Sequence, residues 1–226
     1  MAHHRDDRRL KALLTQECAR IMANEGIQDF RIAKRKAALR FAITDRTLLP
    51  GNAEIQQALL DYQRLFHADQ QANHLRDLRE TALEAMRFLA DFRPRLVGPV
   101  LSGTAGPHSG IHLHLFADTP KDILMFMLER HIPFETLDRR LRMSNGVQVQ
   151  LAAFRFNAGD HPVDLTVFPL LDERQAPCSP VDGRPMHRAG LTEVETLLLA
   201  ASPPQPRHPP ETGQLPALET GQKLTL

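Results

Sequence analysis

Apolar residues recur at helical spacing through the first ninety or so residues of the chain. The first stripe covers residues 10–22, and Gly26 follows where a C-terminal helix cap is expected. Pro50-Gly51 interrupts the pattern, which then continues in two amphipathic stretches that end before Pro94. Such stripes are typical of helix faces packed in a core, so residues 5–92 are predicted to be helical.

The pattern changes beyond Pro94 to short segments that alternate with period two. Strands are predicted at 111–116, 134–143, 147–156 and 163–168, with a hairpin turn at Ser144-Asn145-Gly146. A helix is predicted at 120–131, where Thr119 is a capping residue, Pro120 takes the first helical position and Asp122 is an acid in the first turn. A second helix is predicted at 192–200, with Glu195 at the capping-box position of Thr192. The fold class is therefore α+β, with an N-terminal helical segment followed by an α/β domain that holds a small sheet.

Three regions follow from these patterns. A helical domain spans residues 1–93 and an α/β domain spans 94–200, with the boundary near Arg93-Pro94. Residues 201–226 are rich in proline, and this composition predicts a disordered tail.

Composition and charge narrow the class of protein. The chain has 226 residues, of which 42% are apolar and 24% charged, the balance of a globular protein. Its 28 basic and 27 acidic residues nearly cancel, so any nucleic-acid contact has to come from a local patch. No membrane span or signal peptide is evident, and Cys18 and Cys178 lie far apart in the sequence. A cytoplasmic protein with reduced thiols is expected.

Residues 98–116 have the sequence GPVLSGTAGPHSGIHLHLF, a small-residue turn followed by a predicted strand. This stretch resembles the opening of the nucleotidyltransferase superfamily related to DNA polymerase β. In that superfamily a strand leads into a Gly-Ser turn, and an Asp-x-Asp pair follows on the next strand. The resemblance covers residues 96–168 and implies a small mixed sheet around a nucleotide-binding cleft. The chain also looks like uncharacterised bacterial nucleotidyltransferase-like proteins.

The resemblance implies a role for individual residues. The nucleotide-binding positions correspond to Gly98, Gly103, Thr104 and Ser109. The third catalytic carboxylate corresponds to Asp164, in the predicted strand over 163–168. The two catalytic aspartates correspond to Gly110 and His112, and the serine of the Gly-Ser motif corresponds to Pro99.

These replacements change the chemistry that the site supports. Nucleotidyl transfer through two Mg²⁺ ions needs several carboxylates, whereas glycine provides no ligand and imidazole suits Zn, Cu, Ni or Fe. The usual two-metal reaction is therefore disfavoured, and a bound divalent metal (Mg, Mn or Zn) stays an open alternative. His112 and His114 share one strand face and, with Asp164, form a candidate metal site. The alternative is that these histidines pack on the sheet as neutral, hydrogen-bonded side chains.

Two basic stretches are candidates for contact with RNA or a triphosphate, although a solvated surface is the favoured interpretation. They comprise Arg31, Lys34, Arg35, Lys36 and Arg40 in the helical segment, and Arg139, Arg140 and Arg142 in a predicted strand.

Three functions are compatible with these observations. In the favoured one the protein is a pseudoenzyme whose cleft binds a nucleotide, an RNA end or a protein partner. In the second, an active nucleotidyltransferase uses an unusual metal site built from Asp164 with His112 or His114. In the third, the helical segment binds a protein partner and the cleft is vestigial.

Overall fold

The structure, a computed structural model, describes residues 2–66 and 68–200. The predicted proline-rich tail, 201–226, lies outside these residues. The described part of the chain is α+β, with a helical N-terminal segment followed by a five-stranded mixed sheet, and this confirms the predicted fold class. None of the described helices is both long and apolar enough to cross a membrane.

Four long helices form the N-terminal part of the structure. The first ends before Gly26, which has a φ of +66° and provides the left-handed residue that a helix C-terminus favours. The helices are α1 (Ala2–Glu25), α2 (Phe30–Arg40), α3 (Asn52–Phe66) and α4 (Ala68–Phe88).

The sheet has the strand order β1-β2-β5-β4-β3, in which β2 and β5 are parallel and the other neighbours antiparallel. Its strands are β1 (Arg95–Val97), β2 (Ile111–Ala117), β3 (Glu135–Arg142), β4 (Gln148–Ala158) and β5 (His161–Pro169). Three helices accompany them, namely α5 (Pro99–Ser102), α6 (Pro120–Glu129) and α7 (Leu191–Ala200).

Local sequence signals account for several of these boundaries. Helix α6 begins after the predicted capping residue Thr119, whose amide donates to the Asp122 carboxylate over 2.9 Å. Helix α7 begins at Leu191, before Thr192, and the carboxylate of Glu195 binds Arg87 instead of closing the predicted capping box. Strand β1 stops at Val97 because Gly98, with a φ of +75°, turns the chain and Pro99 opens α5. The apolar run at 96–101 is therefore divided between a strand and a one-turn helix.

Two of the hydrophobic clusters of the described residues account for most of the packing. The larger core joins one face of the sheet to α6 and to the apolar stripe of α4, including Leu78, Ala82 and Met86. A smaller core joins α1, α2 and α3 around Leu14 and Ile55. Helix α4 thus packs against the sheet as well as following α3 in the chain, and the division into domains at residue 93 stays a prediction.

Candidate functional site

The face of the sheet opposite α4 and α6 carries a row of polar residues. His112 on β2 lies opposite Asp164 on β5, and Asp164 lies opposite Arg155 on β4. Because residues directly opposite each other point to the same face, the three side chains meet. The fold thus brings together the predicted catalytic Asp164 and one predicted metal ligand, His112.

Both carboxylate oxygens of Asp164 are bound by guanidinium groups. Arg155 donates Nε to Oδ1 over 2.6 Å and Nη2 to Oδ2 over 3.1 Å. Arg139, which reaches across from β3, donates Nη2 to Oδ2 over 2.6 Å. Nδ1 of His112 lies 3.4 Å from Oδ2, at ion-pair distance. Asp164 is thus the centre of a cationic cluster, which we call the Asp164 cluster: His112, Arg139, Arg155 and Asp164.

The electrostatics of this cluster keep Asp164 ionised. Burial by itself raises the pKa of the Asp164 carboxyl, but His112, Arg155 and Arg139 lower it further than burial raises it. The net effect holds this pKa well below its usual range. Two arginines against one carboxylate leave a net charge of at least +1 on the cluster.

His114, the other predicted metal ligand, is engaged elsewhere. Its Nδ1 accepts a hydrogen bond from Nε of Arg188 over 3.0 Å. Burial, helped by the positive charge of Arg188, lowers the pKa of His114 well below its usual value, so the ring is neutral. This is the arrangement that the alternative interpretation of the histidines predicts. Among the described residues, no three His, Cys, Asp or Glu side chains are grouped so that they could hold a metal ion.

Arg188 is itself a largely buried cation. Its guanidinium group stacks on Phe168 and Phe116, 4.5 and 5.0 Å from the ring centroids, and donates to the carbonyl of Asp172 over 2.9 Å. Burial lowers the pKa of Arg188 to about 10, which leaves it charged at neutral pH. The polar face of the sheet therefore carries three arginines beside two histidines.

The predicted nucleotide-binding loop borders the same face. Gly98 lies against His112, since a Cβ at position 98 would come within 3.2 Å of Cδ2 of that ring. The amides of Gly103, Thr104 and Ala105 all donate to the carbonyl of Pro99. They are therefore not available to cradle a phosphate. The hydroxyls of Ser102 and Thr104, whose oxygens lie 2.9 Å apart, are the polar side-chain groups that this turn presents to a ligand. The Ser109 hydroxyl instead accepts a hydrogen bond from the Gly106 amide.

Side chains from the helical segment fix this loop from the other side. Gln63 on α3 donates to the carbonyl of Thr104, and Gln71 on α4 donates to the carbonyls of Gly103 and Ala105. His74 Nε2 lies 3.1 Å from the carbonyl oxygen of Gly106. Helical side chains thus bind the carbonyls of four consecutive loop residues, and these hydrogen bonds hold the loop in place beside the polar face of the sheet.

A cavity of about 600 Å³ lies between these parts of the molecule. The sheet side contributes His112, His114 and Arg139, and the loop contributes Ser102 and Thr104. The helical side is largely apolar and is formed by Met22, Ile27, Phe30 and Leu59 with Gln28, Gln56 and Gln63. Its size and its mixed walls are those of a ligand-binding site. We call this cavity the cleft.

The two basic stretches have different surroundings. In the helical segment, Arg40 is bound to Glu17 and Glu25, and Lys36 is bound to Glu25. The contacts with Arg20 and Arg40 hold the pKa of Glu17 at about 2, although burial opposes them. In β3, Arg139 faces the cleft, whereas Arg140 and Arg142 are exposed. Only one residue of the second stretch therefore lines the cleft.

Sequence patterns do not single out Arg155, Arg188 or Gln63. For Arg155 a signal exists, because a hairpin with its two-residue turn at 159–160 places residue 155 opposite residue 164. Arg188 and Gln63 reach the site through long-range packing that local periodicity does not encode.

An aspartate at position 110, where the resemblance places a catalytic carboxylate, is sterically opposed. A Cβ at Gly110 would lie 3.0 Å from the carbonyl oxygen of Pro162, so an aspartate there has to displace backbone.

No protein-family model, curated protein or solved structure matches this chain.

Proposed function

We propose that this protein binds the phosphate groups of a nucleotide or an RNA end in the cleft, without a metal ion and without catalysing nucleotidyl transfer. The observation that carries this proposal is the pairing of Asp164 with Arg139 and Arg155. In a two-metal transferase this carboxylate would hold the cations that neutralise a triphosphate. Here both of its oxygens are bound to arginines, and the arginines supply the positive charge instead.

The donors on the sheet side of the cleft suit a phosphate. Arg139 gives one N–H to Asp164 and retains others, while its side chain is about one third exposed and lines the cleft. Guanidinium groups bind phosphate oxygens through charge-assisted hydrogen bonds. The hydroxyls of Ser102 and Thr104 add neutral donors at the rim.

A matched pair of variants tests this proposal. Arg139→Met removes a cleft-lining charge, and Arg140→Met removes the same charge from the exposed, opposite side of the same strand. With EDTA present, calorimetric titration with ATP should give an affinity at least about tenfold weaker for Arg139→Met, equivalent to about 1.4 kcal/mol. Arg140→Met should bind as the unsubstituted chain does, and adenosine, which lacks phosphate, should bind weakly to all three.

Three results would overturn the proposal or favour a competing function. Equal affinity in both variants would overturn the role of the cleft. Incorporation of labelled nucleotide into an acceptor, abolished by Asp164→Ala, would favour the active transferase. Absence of nucleotide binding, together with a stable complex formed through the helical segment, would favour an interaction protein.

A further inference from the structure

The helical wall of the cleft has the character of a site for a planar ring. Its apolar side chains come from α1, α2 and α3 and from the chain between α1 and α2, and Leu59 among them is almost fully buried. Across the cleft they face apolar residues of the other part of the molecule, namely Val97, Leu101, Val181, Met186 and Leu197. A phosphate has no favourable contact with such walls, whereas the ring of a base does.

One polar side chain interrupts this apolar wall. Gln63 is 4% exposed, and its Nε2 donates to the carbonyl of Thr104 over 3.2 Å. That bond fixes the amide orientation, so Oε1 is the atom left over. Oε1 is buried and has no hydrogen-bond partner among the described residues. A buried acceptor without a partner is rare in folded proteins and needs an explanation.

We infer that Gln63 is a specificity-determining residue, whose Oε1 accepts a hydrogen bond from an exocyclic amino group on the base of the bound nucleotide. The inference rests on the proposed function, because it places the base against the helical wall while the phosphates lie at Arg139. Near this point the protein presents two acceptors, Gln63 Oε1 and the carbonyl of Thr104. A ring carbonyl would be repelled there, whereas an amino group is the complementary donor.

The experiment compares two ligands that differ only in this amino group. AMP and purine riboside 5′-monophosphate are titrated into the full chain and into Gln63→Met, with EDTA present. Gln57→Met serves as the control, since Gln57 lies on the same helix, is exposed and does not line the cleft. The full chain and Gln57→Met should prefer AMP at least about tenfold, and Gln63→Met less than about twofold.

The outcomes test the inference about Gln63 and the proposed function separately. If both ligands bind the unsubstituted chain equally, the inference is overturned and the proposed function stands. If neither AMP nor ATP binds, both fail. The ligand comparison on the unsubstituted chain decides the matter even where Gln63→Met does not fold, because it needs no substitution.

Discussion

The two faces of the sheet are built from alternate residues of the same strands, yet they follow different rules. On β2, Ile111, Leu113 and Leu115 face the core, while His112 and His114 face the cleft. The core face needs only volume and apolar surface. Each buried polar group on the other face needs a specific partner, and for Asp164 and His114 the partner is an arginine from elsewhere in the chain.

This contrast explains how the polar face carries positive charge through arginines rather than through a metal ion. Burying a carboxylate on a sheet is costly unless its charge is neutralised, and either a metal ion or a guanidinium group can neutralise it. Two arginines neutralise Asp164 and leave positive charge over, and the proposed function assigns this charge to phosphate binding. We therefore expect substitutions on the core face to change stability, and substitutions at the polar residues of the other face to change binding.

The largest expected effect is a loss of stability, without loss of ATP binding, on truncating a core side chain. Leu113→Ala removes a fully buried side chain from the larger core, so the free energy of unfolding should fall by about 2–5 kcal/mol. Denaturant titration measures this loss. The affinity of the folded variant for ATP should stay within about twofold of the original, because the change lies on the opposite face. A parallel loss of affinity would contradict the division between the faces.

A substitution in the Asp164 cluster should change stability less, and it tests how the phosphates are bound. Asp164→Asn takes the carboxylate from Arg139 and Arg155 and should lower the unfolding free energy by about 1–2 kcal/mol, since both arginines are at least a third exposed. The net positive charge of the cleft rises, so ATP should bind at least as tightly in EDTA. Calorimetry in EDTA measures the affinity, and a loss of binding would contradict the account, because it would show that the positive charge of the arginines does not bind the phosphates without the Asp164 carboxylate.

The smallest effect is a pH dependence. The pKa of His114 in the folded chain lies well below its unfolded value, so the unfolded state takes up a proton first as the pH falls. Stability should therefore be constant above about pH 7 and decline below about pH 6.5, by up to about 1.4 kcal/mol per pH unit. The contributions of Asp164 and Glu17, whose folded pKa values are depressed, are lost only below about pH 5.

The variant His114→Gln isolates this dependence. Glutamine retains an acceptor for Arg188 but does not titrate, so denaturant midpoints between pH 5 and 6.5 should lose part of their slope. The exposed His108→Gln serves as the control and should keep the original slope. An unchanged slope in His114→Gln would contradict the view of His114 as a buried neutral ring.

The predictability of the molecule follows the same division. Helical stripes, the capping box at Thr119 and the alternation of β2, β4 and β5 are local signals, and they correctly predict the elements and the α+β class. The pairing of α4 with the sheet is not local, because an apolar stripe does not specify which surface covers it. The hairpin register predicts Arg155 as one partner of Asp164, whereas the contact with Arg139 and the position of Gln63 depend on packing, so the sequence alone leaves the surroundings of the carboxylate open.

The metal dependence of nucleotide binding tests the central claim most directly. Calorimetric titration of the full chain with ATP is carried out in EDTA and again in excess Mg²⁺. We predict comparable affinities, within about threefold, because Arg139 and Arg155 supply the charge that a metal would bring. Binding that appears only with Mg²⁺, or tightens more than about tenfold with it, would contradict the account and indicate a metal-dependent site.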